Sequence, residues 1–146
     1  MSNKVLSTQK ITYTAFAPGV TTATNVGFVD MADYGCLVAS YYKTVGSTAV
    51  TAISVVASAD SSGTDAVTVA TLSLDSNPDA VGDYVFVEVA AEEVQQAGAE
   101  ADPAQTDLRY VSLQVTAGDA GEEALVGYIL AEPRYAENGL TSDVVA

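Results

Sequence analysis

"RYVSLQVTAG", Arg109 to Gly118, decides the fold class. In an extended chain Val111, Leu113 and Val115 point one way and Ser112, Gln114 and Thr116 the other, the alternation of a strand with one apolar face. Segments of the same character recur along the chain. "VLSTQKITYTAFA", Val5 to Ala17, alternates around Ile11, Tyr13 and Ala15 and stops at the turn signal Pro18-Gly19. "CLVASYYK", Cys36 to Lys43, is an apolar run with the length of a buried strand. "AVTAISVVASA", Ala49 to Ala59, and "AVTVATLSL", Ala66 to Leu74, are joined by "DSSGTD", Asp60 to Asp65, which predicts a hairpin. "YVFVEVA", Tyr84 to Ala90, sets Tyr84, Phe86 and Glu88 against Val85, Val87 and Val89. "RYVSLQVTA" and "ALVGYILAE", joined by "GDAGEE", predict a second hairpin.

One stretch departs from this vocabulary. "AAEEVQQAG", Ala90 to Gly98, lacks β-branched residues except Val94, carries acids in its first turn and reads as a short helix stopped at Gly98. Many short strands, turn signals between them and one helix predict an all-β chain: an antiparallel β-sandwich or jelly-roll-like barrel with one short helix. At 146 residues the chain fits a single domain, 1–146, with a short N-terminal arm over 1–10 and a polar C-terminal tail over 133–146. Strand order does not follow from the pattern.

The formal net charge is -14, from 19 acidic residues against Lys4, Lys10, Lys43, Arg109 and Arg134. Nucleic-acid backbones are bound by Lys and Arg that displace counterions, so neither nucleic acid nor an anionic membrane is an expected partner. Acidity of this size keeps like copies apart unless a specific interface holds them, or it attracts a basic surface. Cys36 is the only cysteine, which excludes an intrachain disulfide, and a lone Cys in an apolar strand usually serves as a small buried hydrophobe. "MSNKVLSTQK" has no apolar stretch of a secretion signal, and no segment approaches a membrane span. The expected place of synthesis is a cytosol, without a signal peptide.

With no histidine, His-dependent triads and His-bearing zinc sites are excluded, and one cysteine cannot build a thiolate zinc site. Paired carboxylates remain, with Glu88 and Glu132 at strand ends as the candidates for glycosidase-like chemistry, yet Trp is absent and the aromatics are dispersed. "DSSGTD" and "DSNPD" gather oxygens as calcium loops do, without the EF-hand spacing, and they also suit solvated turns. "VGSTAV" lacks the second glycine and the lysine of a phosphate cradle. No catalytic residue, cofactor or metal is expected, and the chain is not expected to be an enzyme.

Tyrosine and arginine offer a different signal. Tyr41 and Tyr42 are neighbours in a strand and must point to opposite faces. Arg109 and Tyr110, Tyr128, and Arg134 with Tyr135 complete a set of candidate interface residues, since Tyr and Arg are enriched at binding hot spots. The alternative is that Tyr110 and Tyr128 cap the core with their hydroxyls in water while Arg109 pairs with an acid of its own chain.

"RYVSLQVTA", Arg109 to Ala117, and "VGYILAEPRYA", Val126 to Ala136, in a strand-rich, acidic, histidine-free chain, resemble the small capsid-associated structural proteins of tailed bacteriophages. The resemblance covers about the last third of the chain. It implies a head decoration or cement protein: a β-sandwich on the capsid exterior, partnered by the major capsid protein and neighbouring copies of itself. A homo-oligomer, with a trimer among the options, is expected, while a dimer and a monomer ordered only by the capsid stay open. Another virion part (tail, neck, head-fibre component or small jelly-roll capsid subunit) and a carbohydrate-binding module are the alternatives.

Overall fold

A computed structural model of the chain describes residues 9–73 and 78–133. The arm over 1–8, the tail over 134–146 with Arg134 and Tyr135, and most of "DSNPD" lie outside the described residues. Lys10 and Pro133, read from sequence as ends of the arm and the tail, are the first residue of the first strand and the last of the final one.

In chain order the elements are β1 (Lys10–Phe16), β2 (Thr24–Asn25), β3 (Val29–Asp30), β4 (Tyr34–Val45), β5 (Ala52–Ser58), β6 (Val67–Thr71), β7 (Tyr84–Ala90), α1 (Ala91–Glu100), β8 (Tyr110–Thr116) and β9 (Glu123–Pro133). They form two antiparallel sheets, one ordered β1-β9-β4-β7 and the other β2-β8-β5-β6, with β3 also on β8. The two inner faces make the core. Leu37, Tyr41, Val89, Val126, Tyr128 and Leu130 come from the first sheet and Ile53, Val55, Val111, Leu113 and Val115 from the second, all essentially without exposure. The all-β antiparallel sandwich with one short helix is therefore the observed architecture, and the alternation in "RYVSLQVTAG" places Val111, Leu113 and Val115 inward as read.

The first expected hairpin forms: β5 and β6 pair, Ser54 opposite Thr71 and Val55 opposite Ala70. The second does not. β8 lies between β5 and the short β2 and β3 in one sheet, whereas β9 lies between β1 and β4 in the other. "GDAGEE" therefore crosses between sheets. Packed sheets stand about 10 Å apart, so a link of this length serves an arch as readily as a hairpin. The choice was made by burial, because both strands are flanked on both sides and neither has a free edge for the other.

α1 also departs from expectation at its end. Its start is held by the Glu93 carboxylate, which accepts the Ala90 N–H at 2.7 Å, but it runs through Gly98 to Glu100. Gly98 is buried in packing instead of terminating the helix. A Cβ there would lie 2.6 Å from the Gln105 carbonyl oxygen and 2.8 Å from Leu108 Cδ1. The glycine lets the returning loop lie directly on the helix, and its carbonyl accepts the Gln105 N–H at 2.8 Å. Extended backbone at Ala101 ends the helix.

Candidate functional site: an apolar sheet face

The structure divides the tyrosines and arginines singled out from sequence. Tyr41 and Tyr42 do point to opposite faces, with Tyr41 fully buried and Tyr42 44% exposed. Tyr128 is also fully buried, so neither it nor Tyr41 presents side-chain surface, and the interface expectation is corrected for both. The idea that Tyr128 keeps its hydroxyl in water is corrected as well. That hydroxyl crosses the core from β9, donates to the Val26 carbonyl at 2.7 Å and accepts the Leu113 N–H at 2.8 Å, so it braces one sheet against the backbone of the other. Burial raises the phenol above its ordinary range. Arg109 and Tyr110 stay at the surface. Arg109 Nε donates to Asp30 Oδ1 at 3.0 Å, its Nη2 pairs with Oδ2, and the guanidinium lies 5.4 Å over the Tyr110 ring. Arg109 thus pairs with an acid of its own chain, and its hydrogen bonds hold the Asp30 carboxyl below the usual range.

Sequence reading passed over Lys43 and Glu122. Both side chains are completely buried, with Nζ 3.3 Å from Oε2. Lys43 also donates to the Thr48 carbonyl and, at 3.4 Å, to that of Pro78. Glu122 accepts the Tyr41 hydroxyl on one oxygen and the Gly118 N–H at 3.2 Å on the other. Burial and this carboxylate push the Tyr41 phenol far up. Every charged atom of the cluster has partners, as an interior of low dielectric requires. The period-two pattern held the signal: Leu37, Ala39 and Tyr41 face inward, so Lys43 must follow them. Closed to solvent, the cluster braces β4 to the β8–β9 arch and has no reach to a substrate.

The two outer faces of the sandwich differ in chemistry. Across the second sheet one row runs Asn25, Gln114, Ser54, Thr71. Gln114 donates to Asn25 at 2.9 Å and the Ser54 and Thr71 hydroxyls bond at 3.2 Å, so this row is polar and hydrogen-bonded, while the next row on the same face, Ser112 and Val56, is buried. Across the first sheet, from β1 to β7, the rows read Ala15, Leu125, Tyr42, Tyr84, then Tyr13, Gly127, Ser40, Phe86, then Ile11, Ile129, Val38, Glu88. Tyr13, Tyr84 and Phe86 are 64, 63 and 62% exposed, and Ile11, Tyr42 and Leu125 are each more than two fifths exposed. Gly127 makes room for one of these rings: a Cβ there would stand 3.0 Å from Tyr13 Cε1, so the ring lies on bare backbone. The alternation in "YVFVEVA" named these outward residues, but in sequence it marked only a strand.

Acids border this face. Glu88 lies on it at the β7 side, and Glu123 continues the outward set of β9 beyond Leu125. Cys36 shares the Glu88 end, half-buried and not sealed in the core as expected, with its thiol 3.4 Å from Glu88 Oε1. Burial first, then the hydrogen bond to Glu88 and the charges of Glu88, Glu132 and Glu93, push this thiol up to about 11.

Other concavities offer less. An open groove of about 1060 Å³ runs between β6 and α1, lined by Val67, Val69 and the acids Asp65, Glu93 and Glu100 among others. A smaller one of about 420 Å³ lies beside Met31, Val94 and Leu108. In "DSSGTD" the Asp60 carboxylate accepts the N–H groups of Ser62 and Thr64 at 2.8 and 3.3 Å, as well as the Ser62 hydroxyl. Those bonds, the Ser62 hydroxyl foremost, bring Asp60 down to about 2 and make the loop a self-satisfied turn.

No family model and no curated protein matches the chain. Among solved structures, a chain from the work on Bacillus endospore appendages that form disulfide-linked pili is similar at 14% identity and a TM-score of 0.40, over 85% of this chain and 87% of that one. The SPBc2 prophage-derived protein YomS is similar at 12% identity and a TM-score of 0.40, over 84% and 95%. A chain of infectious bursal disease virus, Gt strain, follows at 14% identity and 0.28, over 89% and 42%. Likenesses this distant identify neither a family nor a role.

Proposed function

We propose that the chain is a virion structural protein, a bacteriophage head decoration or cement protein that binds the outside of the capsid and stabilises the shell without catalysing a reaction. The observation that carries this reading is an apolar outer sheet face on an otherwise strongly acidic sandwich. A face of that kind is a place to bind, and the acidity elsewhere opposes indiscriminate association. The resemblance carried by Arg109 to Ala117 and Val126 to Ala136 supports the phage assignment.

A protein that docks at many symmetric positions needs little affinity per contact, because neighbouring contacts add avidity once geometry allows them together. The major capsid protein and adjacent copies are the proposed partners, and the capsid exterior is the proposed location. Quantitative peptide mass spectrometry of purified particles against the major shell protein tests this. A ratio near one, or another simple lattice fraction, is expected; a handful of copies per particle points to a tail, neck or fibre part, and absence from the particle overturns the reading.

A further inference from the structure

We infer that the outer face of the four-stranded sheet is the seat of a protein partner whose own surface is an apolar strip bordered by lysine or arginine side chains. The inference rests on the virion reading for the source of that partner, a different subunit of the same particle.

The contrast between the two outer faces comes first. One sandwich, one solvent and one chain produce a hydrogen-bonded row of Asn25, Gln114, Ser54 and Thr71 on one side. On the other side stand Tyr13, Tyr42, Tyr84, Phe86, Ile11 and Leu125. The second set stands outside the core, which their inward neighbours fill. Contiguous apolar surface of a few hundred Å² is the size at which a monomer's largest patch is often functional.

Size sets the mode of binding. Strands about 4.8 Å apart and about 3.4 Å per residue make the patch roughly 19 by 17 Å, on the order of 300 Å². A stable stand-alone complex covers about 800 Å² on each partner, so this face fits a weak contact repeated over a lattice.

Charge selects the occupant. Among the described residues the face carries no basic side chain, while Glu88 and Glu123 lie on it and Glu132 stands close to Cys36 at one end. A second copy would set these acids against their own kind on a chain of net charge -14. Lysine or arginine around an apolar strip would complement them instead. A glycan fits poorly. Tyr84 and Phe86 are inclined at 65°, not coplanar as a flat sugar-stacking platform would be.

The test adds purified chain to virus particles prepared without it. Wild type and Thr68→Ala, a control on the polar sheet, are expected to bind equally, and the double variant Tyr84→Ser/Phe86→Ser at least tenfold more weakly. Binding should weaken with added salt, and less steeply for Glu88→Gln/Glu123→Gln, whose fold is undisturbed at the aromatic end. Wild-type binding that both double variants match overturns the inference and leaves the virion reading intact, whereas failure of wild type itself overturns both. A dimer in sedimentation equilibrium that is lost in Tyr84→Ser/Phe86→Ser would identify a second copy as the occupant, and a glycan-array signal lost in that variant would identify a sugar; either outcome also overturns it.

Discussion

Tyr84 and Phe86 stand edge to face on the outer side of β7, ring centroids 5.3 Å apart, with most of each side chain in water. An edge-to-face pair contributes about 0.5 to 1.5 kcal/mol beyond its burial when shielded, and little of that survives at a site this open. Replacing both rings by serine should change the unfolding free energy by no more than about 1 kcal/mol in urea titration. A larger loss would show that the pair serves the fold and would remove the reason for assigning it to a partner.

The Lys43–Glu122 ion pair, with both side chains at 0% exposure, is the opposite case. Lys43→Met leaves an uncompensated buried carboxylate and Glu122→Met an uncompensated ammonium, so each should destabilise by about 3 to 5 kcal/mol. The double variant Lys43→Met/Glu122→Met removes both charges and should be less destabilised than either single change. Chemical denaturation of the three variants measures this, and additive losses would contradict the coupling.

Gly98→Ala sets two principles against each other. Alanine favours a helix interior by about 1 kcal/mol over glycine. The new Cβ, however, meets the Gln105 carbonyl oxygen at 2.6 Å, and backbone does not rotate away. Overpacking of that kind costs about 1 to 3 kcal/mol, so the variant should melt below wild type. A rise in melting temperature would mean that the loop over 101–108 is free to lift from α1.

These cases show what the sequence made legible. Alternation in "RYVSLQVTAG" and β-branched runs around "DSSGTD" are local signals, and the strands and the β5–β6 hairpin follow from them. The partner of β8 depends on which strands bury both flanks, a property of the whole chain, so "GDAGEE" looked like a hairpin turn and proved an arch. Lys43 was hidden by its type, because lysine is so seldom buried that its inward parity carried no weight. The docking face was hidden for the converse reason: Tyr84 and Phe86 alternate as a core face would, and only the packing of Val85, Val87 and Val89 against the core shows which side is which.

Cys36 gives a pH dependence with a definite sign. The neutral thiol is favoured by burial and by the Glu88 hydrogen bond, with its pKa pushed up to about 11. Only the thiolate alkylates, so at pH 8 roughly one molecule in a thousand is reactive at any moment. The rate with iodoacetamide should climb steadily from pH 8 and approach half its limit only near pH 11, and Glu88→Gln should move that midpoint down. A midpoint at about pH 8.5 would show an ordinary exposed cysteine.

Hydroxyl-radical footprinting of the chain, free and bound to the particle, tests the central claim most directly. Oxidation of Tyr13, Tyr42, Tyr84 and Phe86 on the first sheet should fall severalfold on binding, while that of Tyr110 beside Arg109 on the second sheet should not change. Equal oxidation of the four aromatics in the free and bound states, or protection confined to Tyr110, would contradict the assignment of this face to a partner.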